Sequence, residues 1–508
     1  MNSSSWSPRG GLSACSWLAP LVRDAIAGVG GFPGVASEAA EFLTPAAMES
    51  APAWSSPWFE GWRAGQIASQ TDPGSTAAVA HNLDALRAGT ADVVVTGQQP
   101  GFLGGPLYTL LKVATCIAAA EARTQAGRPT VPLFWSGDAD DDLAEAVGVR
   151  VWDPARATFL KPVPPAEANG RMVGALAASV LGTAERVWLS GLSGKFADRL
   201  VELWDTGMSE KRSWSSLHAD ALRLVFPGKG LLIVSGNDAE MIAAGHPLVE
   251  RFLARRDDLI AEVRGAGADL TALGYHAQIA GTSLERPVHR AVGDERRRLT
   301  SSDEAADVPP TELRPGVVLR SPLQDWLFRP AGVVVGPGER AYLEQLRPLY
   351  AALDLRRAPL LPRAFAVLGH QPVDGPAPIA DVAPKVAAVV KAAAKELEKS
   401  LNELGVLDAG VRAERVAERF RPTVTKAIEA ASREREEVRH DRHGQDDWRT
   451  PRGTRQERVL PGLWAAALFE DLPDVLHGLA ADHIERLAAG EPCEYEIHVD
   501  ETVLEDSP

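Results

Sequence analysis

Five acidic side chains, Asp138, Asp140, Asp141, Asp142 and Glu145, follow the apolar run Val131–Trp135 within ten positions. Carboxylates gathered this tightly raise one another's pKa unless a cation or an amine compensates them. Two chemistries use such a group: holding or deprotonating a substrate ammonium, and binding Mg²⁺ or Mn²⁺. A solvated acidic loop is the plain alternative. A second block, Thr96-Gly97-Gln98-Gln99-Pro100-Gly101, follows Val93-Val94-Val95 directly, with Gly104-Gly105 just beyond. Glycines let backbone N–H groups approach a ligand, and the helix start that follows favours negative charge. Gln98 and Gln99 can each donate and accept hydrogen bonds. No Gly-Lys-Ser/Thr closes the segment, so it is not a P-loop. A tight structural turn and a ligand loop fit these residues equally well. Lys112, further on, reads as a solvated or snorkelling side chain. A third block runs from Arg320 to Phe328 and continues through Gly332–Glu339 to Tyr342. Arg320 suits bidentate pairing with a carboxylate, or an ordinary salt bridge. His276 titrates in the neutral range if unperturbed, although a lone histidine is more often structural.

The elements that must position these residues are those of a parallel α/β sheet. The β-branched run Val93–Val95 and the segment Thr130–Trp135 read as strands covered on both faces. Between them Leu107, Leu110, Leu111, Ala114, Ile117 and Ala118 recur at helical spacing, with Pro106 in the first turn. The resulting βαβ unit should cross over right-handed. Gly230–Ser235 reads as a further strand, with helix from about Ala239 to Gly265. Ala277–Ile279, Val317–Arg320 and Gly332–Val335 read as short strands. Residues 1–90 are short helical patterns that wrap the core; 150–225 and 285–312 read as insertions, the latter a charged surface excursion. Two apolar stripes, Val386 to Leu404 and Val416 to Ala431, describe an antiparallel helical hairpin of coiled-coil type over 376–443, kinked at Pro422. Residues 1–375 are then the core, and 444–508 are helices that return to it. The stripes need a partner surface, and a second copy of the chain fits.

The 508 residues carry a formal net charge of -15, which argues against a general nucleic-acid binder. Apolar residues make up 45% and charged residues 24%, enough for a large core. Three widely spaced cysteines, Cys15, Cys116 and Cys493, fit a reducing compartment. No signal peptide pattern and no membrane-length apolar run is found, so the expectation is a cytoplasmic protein without a membrane partner.

In order along the chain, Thr96–Gly101 with Gly105–Thr109 and Lys112, Val131–Asp142, Gly274–Gln278, Arg320–Phe328, Gly336–Glu339 with Tyr342 and Gln345, and Arg455–Leu460 resemble the bacillithiol biosynthesis cysteine-adding enzymes. The similarity runs from about residue 90 to 460. It departs where the family has Asp-His-Asp: here Asp140-Asp141-Asp142 stands, so Asp141 occupies the histidine position. Ser321 also intervenes between Arg320 and Pro322. The resemblance implies a Rossmann-like core with inserted connecting segments and a coiled-coil hairpin used in dimerisation. It implies a ligase that joins the carboxyl group of L-cysteine to the amine of glucosaminyl-malate. Forming an amide from a free carboxylate in water is uphill, so ATP is the candidate activating reagent, and no required metal is identified. Asp140, Asp142 and Glu145 are then the expected catalytic residues. Thr96, Gly97, Gln98, Gln99, Gly101, Gly105, Tyr108, Gln278, Arg320, Gln324, Asp325, Gly336 and Glu339 are the expected substrate-binding residues. Two rival classes are a metal-dependent nucleotide-sugar glycosyltransferase, suggested by the acidic triplet, and a non-catalytic paralogue acting through its hairpin, suggested by Asp141.

Overall fold

The computed structural model describes residues 5–15, 17–70, 72–153, 158–160, 162–164, 166–299, 305, 307–369, 395 and 455–499. Thirteen strands occur among them. They are β1 (Ser5–Gly11), β2 (Asp92–Gln98), β3 (Thr130–Ser136), β4 (Val151–Asp153), β5 (Thr158–Leu160), β6 (Leu232–Ser235), β7 (Val288–Val292), β8 (Glu295–Arg298), β9 (Leu313–Pro315), β10 (Gly332–Val335), β11 (Leu360–Pro362), β12 (Phe365–Gly369) and β13 (Cys493–His498).

The central sheet has five strands in the order β11-β10-β2-β3-β6, and every neighbouring pair is parallel. Its strands are Val/Leu-rich and buried, as a sheet with helices on both faces requires. The helix Leu107–Gln125 links β2 to β3 and buries 14 of its 19 residues. Pro106 is its N-cap, with φ -60° and ψ 152°, one residue outside the first turn.

Both edges of this sheet are covered by side chains from the N-terminal helices. At β6, Gln66 of the helix Trp58–Ala68 accepts from the Ile233 N–H at 2.9 Å and donates to its carbonyl at 2.8 Å. The amide thus stands in for a neighbouring strand and blunts the edge. At β11, Glu38 of the helix Val35–Leu43 accepts from the Leu360 N–H at 3.3 Å, and Arg340 donates to the Leu360 carbonyl at 3.1 Å. Residues 1–90 are therefore part of the core, including Phe59, Leu83 and Leu86.

Several readings change. The segment from Ala239 is three helices, Ala239–Ala244, His246–Leu253 and Arg256–Ala272, interrupted at Gly245 and Ala254–Arg255. Ala277–Ile279 is irregular rather than a strand. Val317–Arg320 opens a helix, Val317–Phe328, in spite of its β-branched start. Val318, Leu319, Leu323 and Leu327 are buried at helical spacing, and that stripe decides the conformation. Within the 285–312 span, β7 and β8 form a hairpin, and β9 beyond it adds to β7 to give a three-stranded antiparallel ribbon in the order β8-β7-β9. A separate sheet, β1-β13-β12, pairs β13 antiparallel with β1 and parallel with β12.

The chain divides into two compact units. The first comprises Met1–Val151, Lys161–Gly369 and Gln456–Pro508; the second comprises Trp152–Leu160 and His370–Arg455. The second holds β5 and Trp152–Asp153 of β4, which form a two-stranded sheet; the expected hairpin over 376–443, apart from Lys395, lies outside the described residues. No described helix is long and apolar enough to cross a membrane.

Candidate functional site

From β2 the chain moves through β3 to β6 on one side, then returns to add β10 and β11 on the other. The order of strands reverses between β2 and β10. In open α/β sheets the ligand crevice lies outside the carboxyl ends at such a point. Here those ends carry Gln98 and Gly336.

Lys112 joins the two. Its side chain is only 3% exposed, and Nζ donates to the Gly97 carbonyl at 2.7 Å and to Gln98 Oε1 at 2.9 Å. It also pairs with Glu339 Oε2 at 2.5 Å, and the same oxygen accepts from the Gly336 N–H at 2.7 Å. The lysine is thus a strut between the two strand ends, not a solvated side chain. Burial lowers its pKa, and the Glu339 carboxylate works against that. The other half of Gln98, Nε2, donates to Glu145 Oε1 and to the Tyr108 hydroxyl, both at 3.3 Å. The Arg363 guanidinium lies 5.4 Å from the Tyr108 ring centre, within range of a cation–π contact.

The acidic turn after β3 splits into distinct roles. Asp138 is buried; it accepts from Ser215 and Ser235 hydroxyls at 2.7 Å and from the Asn237 N–H at 2.9 Å, which ties β3 to β6. Asp140 Oδ1 accepts from Arg296 at 2.9 Å and Oδ2 from Arg320 at 3.0 Å. Burial opposes its ionisation, but the two guanidiniums prevail and hold its carboxyl down to about 2. Asp141 lies 3.5 Å from Arg296. Asp142 caps the short helix Leu143–Ala146 by accepting from the Glu145 N–H. Glu145 shows the opposite behaviour to Asp140: burial raises its pKa, and Asp142 and Asp140 add to this. Among the described residues, no group of three or more His, Cys, Asp or Glu is placed to hold a metal ion.

The glycines serve the protein's own packing. A Cβ on Gly97 would stand 2.7 Å from the Trp135 carbonyl oxygen, and one on Gly101 would stand 2.5 Å from the Gly105 Cα. Gly101 through Pro106 are buried. Leu103 adopts φ 49° and ψ 45°, and its N–H donates to Glu185 Oε1 at 2.7 Å. That carboxylate is fully buried and also accepts from the indoles of Trp204 and Trp214 at 2.8 and 2.7 Å. Thr96 donates to the Val334 carbonyl and braces β2 against β10. Gln99 donates to the Asp142 carbonyl at 2.9 Å.

The structure therefore brings Gln98, Tyr108, Asp140, Glu145, Arg320, Gly336 and Glu339 to the strand ends. Gln278 is exposed in a loop held by Gln345 through Ile279. Gln324 donates to Asp325 at 3.2 Å, and Asp325 is buried beside Tyr350 and the Ala358 peptide, where burial lifts its pKa to about 6. Neither shares a hydrogen bond or ion pair with the Asp140 and Gln98 groups. Arg296 and His289 are site residues that the sequence reading did not single out, and Lys112 was read there as a solvated or snorkelling side chain. The basic run Arg296-Arg297-Arg298 was the available signal, but only strand pairing shows which arginine turns inward.

The model of the family described as bacillithiol biosynthesis BshC, N-terminal Rossmann-like domain, matches residues 66–364. A protein of Salinibacter ruber named "Putative cysteine ligase BshC" is 28% identical over 461 residues, covering 79% of this chain and 83% of that protein. Namesakes from Geobacillus thermodenitrificans, 28% identical, and Koribacter versatilis, 30% identical, match over 58% and 56% of either chain respectively. The chain thus spans somewhat over half the length of these last two relatives. The matches favour neither the glycosyltransferase nor the interaction-module reading. With this Rossmann-like sheet and the strand-end cluster it carries, the chain belongs to the bacillithiol biosynthesis BshC family.

Proposed function

We propose that the protein is an amide-forming ligase that adds the carboxyl group of L-cysteine to the amine of glucosaminyl-malate. The observation that carries this reading is the pair of opposed carboxylates at one set of strand ends. Asp140 has both oxygens occupied by guanidiniums, whereas Glu145 is raised in pKa and hydrogen-bonded to Gln98. A base that takes the proton from the substrate ammonium, freeing the amine to attack, needs a pKa lifted toward the working pH. Glu145 takes that part, Gln98 orients the substrate, and Asp140 and Asp142 hold the turn. Arg320, whose side chain is 29% exposed, meets a substrate carboxylate.

An amide does not form downhill from a free carboxylate in water, so the cysteine carboxyl must be activated, and ATP is our candidate reagent. The Gly97–Gly105 turn does not fit a triphosphate. Its second half is buried against the protein, and Glu145 and Glu339 flank its open side. We further assign the 376–443 hairpin to homodimerisation and the protein to the cytoplasm.

The test is product formation from L-cysteine, ATP and glucosaminyl-malate by purified protein, followed by mass spectrometry of the thiol. Glu145→Gln should lower kcat by roughly 10²–10⁴ with little change in KM. Arg320→Ala should chiefly raise KM for the carboxylate substrate. A Glu145→Gln enzyme with full kcat would remove the base assignment, and no product from the intact protein would remove the reaction.

A further inference from the structure

The ribbon β8-β7-β9 supplies groups that the strand-end turns lack. In its antiparallel register His289 stands opposite Arg298, and Ala291 stands opposite Arg296. These four residues share one face, and Arg296 is the diagonal neighbour of His289, within reach of a long side chain. Arg296 is nearly buried, with its side chain 7% exposed. One terminal nitrogen donates to Asp140 Oδ1 at 2.9 Å, and the other lies 3.1 Å from His289 Nδ1. A guanidinium has N–H donors and no acceptor. Nδ1 is therefore the accepting nitrogen, and the proton of the neutral ring is on Nε2. Nε2 has no protein partner among the described residues, and it is not among the sealed buried atoms that lack one. The ring as a whole is half-buried.

We propose that His289 is a ligand-binding residue whose Nε2–H is a fixed, neutral hydrogen-bond donor for a carboxylate oxygen of the amine substrate. This rests on the reading of the Asp140 cluster as the substrate site. His289 is not a second base there, because the lone pair that would take a proton is already held by Arg296. The charged groups facing the ring agree. Arg296 and Arg298 come from β8, Arg320 from the helix Val317–Phe328, and Asp140 from the turn after β3. Burial and the three guanidiniums disfavour an imidazolium, Asp140 alone supports one, and the balance sets the pKa down to about 3. The donor thus persists unchanged across the neutral range.

Two measurements test this. In the intact protein labelled with ¹⁵N-histidine, the signals that vanish in His289→Gln should show the Nε2–H tautomer and no titration between about pH 5 and 8. A titration near the ordinary histidine pKa of about 6.5, or the Nδ1–H tautomer, overturns the proposal. Calorimetry with glucosaminyl-malate supplies the second readout. His289→Phe should weaken binding about tenfold, the loss of one hydrogen bond, whereas His289→Gln, which keeps a neutral donor, should stay within about threefold of the parent. Equal binding by all three overturns the proposal. If the parent itself does not bind, the ligase reading fails, while the tautomer result still decides the donor assignment.

Discussion

Asp140 and Glu145 lie in the same turn and are shifted in opposite directions, so the stability and the chemistry of the site separate along the pH axis. Asp140 has a folded pKa below its unfolded value. Its contribution to stability is complete above about pH 4 and disappears as pH falls through about 2. Asp325 runs the other way. Burial raises it to about 6, so the fold is favoured while it is protonated, and that advantage is lost as pH rises from its unfolded pKa through about 6. Asp325→Asn removes the titration. Relative to the parent, the variant should be about 2 kcal/mol more stable at pH 8 than at pH 4, measured by urea denaturation at both values. An offset that does not change with pH would mean that Asp325 keeps its ordinary pKa.

The turn between β2 and the helix Leu107–Gln125 takes its shape from Glu185, 82 positions further along the chain. Glu185→Gln should keep the volume but weaken the hold on Leu103 and the two indoles. The expected loss is about 1–3 kcal/mol, with amide exchange quickened at residues 101–105 ahead of the sheet. Unchanged protection there would show that the glycines alone fix the turn. This also explains what could be read from sequence. β2, β3 and β10 were legible because a strand covered on both faces is an unbroken apolar run. The acidic turn was legible because it follows one. The Val317 segment was misread because Val317-Val318-Leu319 looks extended until the buried stripe through Leu327 is followed. Lys112 could not be recognised as a strut, because its burial depends on Glu339 at the end of a strand that sequence order places far away. Arg296 was hidden for the same reason: a basic run looks solvated until the ribbon's register turns one member toward Asp140.

At the scale of the whole molecule, sequence-distant segments close the first unit. Arg363, just after β11, makes a buried two-pronged pair with Glu457 at 2.8 and 3.0 Å, and the helix Leu472–Ala489 packs on Leu107–Gln125. Replacing 376–443 by a short linker should therefore leave the sheet folded. If residues 376–443 form the proposed dimer interface, light scattering should report a dimer for the full chain and a monomer for the shortened one; a persistent dimer would remove them from that role. The pairing of β1 with β13 has a kinetic consequence. Ser7 meets His498 across 491 positions of chain, so the first strand emerges from the ribosome long before its neighbour exists. At about 5–20 residues per second the wait is about 25–100 s. During synthesis that strand depends on chaperones or its own polar character to avoid pairing elsewhere, and the sheet β1-β13-β12 can be sealed only after β13 has been made.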